Sequence, residues 1–435
     1  MTFQLPLFGT AKRARRACFF SLHPREKEKK FGAYAPKAMV HFAAKYNLPI
    51  IEDVKDLDAF DVVFFSLHCF RDFYLVARMA HHKRKGQEWI AGGNACATPA
   101  GVGWIMDYVY VGDCRGSFAR IIAGEREMPG MYDPRHPDRP IRYVDEDLHV
   151  EAITPTNIEM SKGCPRRCLF CIHPWRHRYQ EQPREVVEDF IRKFPKMRLG
   201  LISNSSDDVS YYEEISELLH ATGKQDMTVS NAVQSYSQKI AEQRKADMLF
   251  GVEGMSERLR WIVNKPISRD LLREKIDLCM STSGKLRVIY QFNLPGETER
   301  DIDEFESDVE YFRAKYTTGA LATTFIPNQP SAHTPFQWIV PRYSLATQAR
   351  LMDLRKRFIG SGKTGLGVYL PTPLGPKNWF SQVVAEWLPV TPTLDAAIQK
   401  LPQRAEVPEM IDALAARGVR LPAAFLARDR DAVFP

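Results

Sequence analysis

KGCPRRCLFCIHPW spans Lys162 to Trp175 and sets three thiols, Cys164, Cys168 and Cys171, within eight residues. The spacing is C-x3-C-x2-C, and the aromatic Phe170 stands just before the third thiol. Lys162, Arg166, Arg167, Arg176, His177, Arg178 and Arg184 crowd the same stretch. Thiolates this close can wrap one loop around one metal centre. Two chemistries compete for it. Zinc needs a fourth ligand, which His173 or His177 could supply. An iron–sulfur cluster is usually held by four thiolates, so three would leave one iron open to a small ligand.

The surroundings of the loop separate the two. PTNIEMS (155–161) reads as a strand leading into it, so the thiols fall at a strand C-terminus, where barrel chemistry sits. A structural zinc site has no particular reason to be there. Downstream, helical and strand patterns alternate. PREVVEDFIRKF (183–194) is followed by the strand LGLIS (199–203), the helix YYEEISELLHA (211–221), the strand MTVS (227–230) and the helix SQKIAEQRK (237–245). Then come the strand MLFGVEG (248–254), the helix SRDLLREKIDLCMS (268–281), the strand RVIYQFN (287–293), the helix ERDIDEFESDVEYFRAKY (299–316) and the strand ALATTFI (320–326). About six βα units fit an open, partial barrel over 151–340 better than a full eightfold one. Residues 341–435 show helical patterns interrupted by prolines and read as a small helical C-terminal cap.

Upstream, residues 17–125 also alternate. DVVFFS (61–66), EWIAGGN (88–94) and DYVYVGD (107–113) are strands; APKAMVHFAAKY (35–46) and DFYLVARMAHHKRK (72–85) have helical spacing. This pattern implies a doubly wound, Rossmann-like parallel sheet. Gly92, Gly93 and Gly112 fall at strand ends, where such sheets bind ligands or merely turn tightly. Residues 126–150 are rich in Pro, Asp and Arg and read as a linker.

The thiol loop, at the end of the first strand of a partial barrel, resembles that of the radical S-adenosylmethionine (SAM) superfamily. The resemblance covers roughly 155–340. It implies a [4Fe–4S] cluster held by Cys164, Cys168 and Cys171, with SAM on the open iron through its amine and carboxylate. SNSSDD (203–208) stands where the family holds the SAM amine; the usual Gly-Gly-Glu is missing, and Asn204 and Ser205 take its place. In FGVEGMSERLRWIVNK (250–265) the resemblance places Glu253 and Ser256 against the ribose or methionine part. VIYQFNLPGETERD (288–301) is similar to the family's GxPGET turn, where the backbone at Pro295 and Gly296 passes the adenine. FIPNQPSAHTPFQW (325–338) is similar to a closing segment of members that also carry a cobalamin-binding domain. Each of these has a plain structural reading: Glu253 a satisfied buried acid, Pro295-Gly296 a simple turn, His333 a core histidine.

Residues 17–125 likewise resemble that cobalamin-binding domain, through DVVFFS, GGNACATP (92–99) and DYVYVGD. Relatives continue the last as Gly-Glu-Gly-Glu, where this chain has Gly112-Asp113-Cys114-Arg115. The D-x-H-x-x-G motif that supplies a lower cobalt ligand is absent, and Asp147-Leu148-His149-Val150-Glu151-Ala152 lacks its glycine. Cobalamin is therefore left open.

Length and composition set the frame. A chain of 435 residues suggests two or three domains, and 44% apolar with 26% charged residues is ordinary for a globular protein. No apolar run nears the roughly 18 residues of a membrane span. The basic residues near the start follow a short apolar stretch, the wrong order for a secretory signal, so the expected compartment is the cytoplasm. Five of the eight cysteines are scattered, which argues against a disulfide framework. Residues 1–30 carry eight Lys/Arg against two Glu, or +6 of the total +7, so the body is nearly neutral and residues 1–16 read as a basic tail. Such a tail either contacts nucleic acid or another anion, or serves solubility.

The expected function is generation of a 5′-deoxyadenosyl radical that abstracts a substrate hydrogen. The arginines point to an anionic substrate, such as a nucleobase in DNA or RNA, to an electron donor such as flavodoxin or ferredoxin, or to charge balance for the cluster. Two other readings stand beside it: a cobalamin-dependent radical SAM methyltransferase, and a non-enzymatic zinc or nucleic-acid-binding protein.

Overall fold

The computed structural model describes residues 15–22, 34–148, 157–226, 232–243, 248–283, 285–316, 320–358, 365–369 and 375–422. Residues 1–14 of the basic tail and the expected strand 227–230 lie outside these. The chain divides into two compact units, 1–146 with 385–399, and 147–384 with 400–435.

The first unit is a six-stranded sheet built from β1 (Ala17–Phe20), β2 (Ile50–Ile51), β3 (Val62–Ser66), β4 (Glu88–Gly92), β5 (Tyr108–Tyr110) and β6 (Met131–Tyr132), in the order β2-β1-β3-β4-β5-β6. β2, β1, β3, β4 and β5 run parallel, and only β6 is antiparallel. Both faces are covered, which is why VVFFS is apolar without alternation. Phe19, Phe64, Ile90 and Tyr110 pack on one face with Phe118 and Ile121. The helix Phe70–Met79 buries Phe73, Tyr74, Val76 and Ala77. Asp72 caps its start by accepting from the backbone N–H groups of His68 (2.6 Å) and Cys69 (3.2 Å). Arg78 near its end forks onto Asp395 at 2.7 and 2.9 Å, which ties the late helix Pro392–Gln399 into this unit.

Two segments differ from expectation. The stretch expected as a linker pairs in part with this sheet: Met131–Tyr132 lie against β5, and Gly112 bridges to Val144. Residues 385–399, expected within a C-terminal cap, belong to the first unit.

The second unit carries β7 (Asn157–Glu159), β8 (Ser161–Lys162), β9 (Gln180–Glu181), β10 (Arg198–Ile202), β11 (Gln225–Asp226), β12 (Met248–Glu253), β13 (Lys285–Phe292), β14 (Ala320–Pro327) and β15 (Gly365–Tyr369). The strands β11-β10-β7 and β12-β13-β14-β15 form two parallel sets with helices between successive strands, a TIM-like partial barrel. Every second residue of β13 is buried (Leu286, Val288, Tyr290, Phe292), the period of a strand with one face in the core. The helix Glu299–Lys315 starts at Thr298, whose N–H and hydroxyl both donate to Asp301, each at 2.8 Å. β15 adds a strand where only helix was expected; the Gly-rich GLGVY has no periodic signal to reveal it.

Candidate functional site: a thiol loop at the strand ends

The thiol loop leaves β8 through Gly163, whose φ of +71° suits glycine, and a Cβ there would meet the carbonyl oxygens of Arg178 and His177 at 2.8 and 2.9 Å. Hydrogen bonds then fix the loop to several strand ends. Asn204, just after β10, donates Nδ2 to the Gly163 carbonyl at 2.8 Å. Arg166 forks onto Asp208 at 2.7 and 2.6 Å and donates to Ser235 Oγ at 2.7 Å. Leu169 N donates to the Val263 carbonyl at 3.0 Å, and Asn264 Nδ2 to the Arg167 carbonyl at 2.8 Å. Phe336 N donates back to the Leu169 carbonyl at 3.3 Å, and Trp175 Nε1 to the Cys168 carbonyl at 3.1 Å. A loop held at this many points presents its thiols in a fixed array.

Cys168 is buried; Cys164, Cys171 and Phe170 are half-buried. All three cysteines are free thiols. Burial pushes the Cys168 thiol up to about 12 and the Cys171 thiol up to about 11, and raises Cys164 as well. Left to themselves they would stay protonated, so thiolate ligation requires a nearby positive centre. Lys265 supplies part of it, since it pulls all three thiols down.

Lys265 was not singled out in the sequence. Its Nζ lies 3.2 Å from Glu253 Oε1, and Gln291 Nε2 donates to Glu253 Oε2 at 2.8 Å. Burial opposes the charge on Lys265, yet Glu253 and the thiol sulfurs hold its ammonium above the ordinary value. Glu253 itself has φ +72° at the end of β12, where the pairing with β13 shifts register. A non-glycine residue in this region is strained and persists only where its surroundings enforce it.

The other expected residues fall into two groups. Asn204 and Glu253 stand with the thiols through the bonds just given. Ser205 turns its hydroxyl to Asp208 at 2.7 Å, and its N–H donates to Ser203 Oγ at 3.1 Å. Ser256 is buried, caps the helix Glu257–Ile262 by accepting from Leu259 N at 3.1 Å, and donates to Asp301. Gly296 has φ +69° in a turn closed by Glu297 N to the Leu294 carbonyl at 3.1 Å. Its carbonyl accepts from Arg258 at 2.8 Å, and Arg258 also pairs with Asp301. Ser256, Arg258 and Asp301 thus brace the Pro295-Gly296 turn. Next to it, burial pushes the Glu297 carboxyl up to about 7. His173 is held down at about 4, first by burial and then by His177 and Arg176. Three arginines of this stretch meet carboxylates: Arg166 with Asp208, Arg178 with Asp147 and Arg184 with Glu188.

The first unit has a separate cavity of ≈ 200 Å³ at the C-terminal ends of β1, β3, β4 and β5. Ser66, His68, Asn94, Asp113 and Arg115 are among its polar lining residues. Its aromatic part is filled by Phe19, Phe64 and Phe118, with ring centroids 5.2 to 5.6 Å apart. Gly112, at φ +120°, passes so close to Val144 that a Cβ would lie 2.3 Å from its carbonyl oxygen.

The sequence pattern of the Radical SAM superfamily matches residues 158–309, so the chain carries a radical SAM domain. Enzymes of that family use a [4Fe–4S] cluster and SAM. An uncharacterized protein of Methanocaldococcus jannaschii is 22% identical over 367 residues, 77% of this chain and 82% of that protein. The structure is similar to the radical SAM methyltransferase TsrM from Kitasatospora setae, solved with tryptophan substrate and a SAM analog, at a TM-score of 0.55 and 13% identity over 88% of this chain and 96% of that one. It is also similar to the cobalamin-dependent SAM radical enzyme OxsB, at a TM-score of 0.53 and 12% identity over 81% of this chain and 57% of that one. At such identities the likeness concerns the fold.

Proposed function

We propose that this chain generates a 5′-deoxyadenosyl radical from SAM and uses it to abstract hydrogen from an anionic substrate, a nucleobase in DNA or RNA, which is thereby rearranged or otherwise modified. The observation that carries this reading is the thiol loop, pinned at the strand ends and near enough to Lys265 for its charge to lower all three thiols. When bound, the [4Fe–4S] cluster supplies the electron that breaks the C5′–S bond of SAM.

Cys164, Cys168 and Cys171 would hold the cluster, and Lys265 would offset its negative charge and offer an ammonium to the SAM carboxylate. Phe170, half-buried just before the third thiol, would flank the bound cofactor. Asn204 lies at the end of β10 for the SAM amine and holds the loop entry through Gly163, while Ser205 acts as a positioning residue through Asp208. Glu253, kept in place by Lys265 and Gln291, faces the ribose or methionine part. Ser256 acts as a positioning residue: with Asp301 and Arg258 it shapes the Pro295-Gly296 turn that passes the adenine. A flavodoxin or ferredoxin delivers the electron.

A second reading, a cobalamin-dependent methyltransferase, is favoured by the fold likeness to TsrM, also solved with cobalamin and a [4Fe-4S] cluster bound. The first unit carries a cavity of ≈ 200 Å³ at its strand ends, where such sheets take a ligand, with Phe19, Phe64 and Phe118 packed along its apolar part. The test is product analysis after anaerobic reconstitution with iron and sulfide, with and without cobalamin, followed by dithionite and SAM. 5′-Deoxyadenosine without retained cobalamin supports the first reading. Stoichiometric cobalamin with S-adenosylhomocysteine as product supports the second.

A further inference from the structure

Arg166, Arg178 and Arg184 beside the thiol loop are matched by carboxylates, so an anionic macromolecule needs a further contact surface. The first unit has one, at the edge of its sheet opposite the C-terminal cavity. Two concavities of ≈ 520 and ≈ 480 Å³ lie at the starts of β4 and β5. Tyr108 and Arg135 line both, so the two form one groove. Eight Lys/Arg side chains line it against four carboxylates, a net +4. The residues from 31 to 435 together carry only +1.

The groove is organised around Tyr108. The Arg126 and Arg135 guanidiniums lie 5.5 and 5.1 Å from its ring centroid, and Arg135 donates to its hydroxyl at 2.6 Å. Asp133 grips Arg135 at 2.8 Å through both carboxylate oxygens, so this fork is preset. Lys85, Arg139 and Arg142 are different. They are exposed, line the same groove, and have no carboxylate partner among the described residues. Free cations spaced along a concave, arginine-rich path suit successive phosphates, which guanidinium forks bind in bidentate geometry.

We propose that this groove binds the phosphodiester backbone of a nucleic acid and so holds the substrate strand on the first unit. The inference rests on the reading of a nucleobase substrate and names the polymer that carries it. Backbone contacts of this kind position a strand without reading its sequence.

The test is binding, so it does not depend on radical chemistry. Fluorescein-labelled 20-nucleotide single-stranded DNA, its duplex and the matching RNA are titrated with the full reconstituted chain at several salt concentrations. The same is done with the Lys85→Ala/Arg139→Ala/Arg142→Ala variant. The expected result is binding by the wild type to one of these probes. In the variant, affinity falls at least tenfold and the slope of log K against log salt flattens by about 2 to 3, as loss of three phosphate contacts requires. An unchanged melting temperature shows that the variant is folded, since the three side chains are exposed and unpaired. A wild type that ignores all three probes overturns the proposal. So does a variant with unchanged affinity and slope. Binding of an acidic flavodoxin in place of the oligonucleotides would make the groove a protein-docking face and also overturn it.

Discussion

Lys265 reaches Glu253 across the turn that follows β12, Nζ to Oε1 at 3.2 Å, and the same ammonium lowers the pKa of all three cluster-loop thiols. Both side chains are only about one-eighth exposed, at 13% and 12%. The pair links the strained end of β12 to the thiol loop.

Lys265→Met should leave iron incorporation intact and cut 5′-deoxyadenosine formation about a hundredfold, the scale seen when one preorganised electrostatic donor is lost. It also leaves Glu253 without its cation, at a cost of about 3 kcal/mol. Lys265→Met with Glu253→Gln should regain most of the stability but not the activity. Melting curves and product assays on the two variants check both halves. Lys265→Arg, which keeps the charge and leaves Glu253 intact, should recover part of the activity; a Lys265→Arg variant as stable as wild type yet as inactive as Lys265→Met would contradict the electrostatic role.

Asp208→Asn removes the anchor of Arg166 and of the loop. Burial opposes ionisation of Asp208, but Arg166, Ser235 and Ser205 together hold its carboxyl below the usual range. A depressed folded pKa adds stability above the unfolded value of about 3.9 and loses it as pH falls through the folded one. The variant should therefore be less stable near neutrality by about 3 kcal/mol, and the gap to wild type should narrow in strong acid. Its iron content after reconstitution should fall as well, which colour and iron assay would report.

Glu297 predicts the opposite pH dependence. Burial raises its carboxyl to about 7 in the folded chain, while the unfolded carboxyl ionises near 4.3. The folded state therefore binds a proton that the unfolded state has released. Glu297 makes stability decline as pH rises through that window, with no further change above it. Glu297→Gln should flatten the fall in melting temperature between pH 5 and pH 8. An unchanged slope would show that Glu297 ionises normally.

Much of this architecture is legible in the sequence, and the reason is local. Buried parallel strands are short apolar runs, so VVFFS and RVIYQFN announce themselves, and three thiols in one loop need no distant partner to be recognised. What is hidden depends on contacts remote in sequence. Arg78 and Asp395 are 317 residues apart, so residues 385–399 could not be assigned to the first unit by pattern. Lysine and arginine read as surface residues, yet Lys265 is nearly buried against Glu253, and its charge reaches all three thiols. Arg260 is wholly buried, donating to the Ile267 carbonyl at 2.6 Å. The one local hint at Lys265 is Asn264, with φ +55° after the helix Glu257–Ile262, a helix-ending residue that turns the chain inward. The hydroxyls of Ser205 and Ser256 show the converse. Their places in the motif were visible, but not that each is directed to a buried aspartate.

The most direct measurement is low-temperature EPR of the iron- and sulfide-reconstituted chain, reduced with dithionite, before and after SAM. The expected result is a reduced [4Fe–4S] signal that changes shape when SAM takes the open iron, and its absence from Cys168→Ala. A colourless protein that holds one zinc, with no signal in either state, would contradict the account.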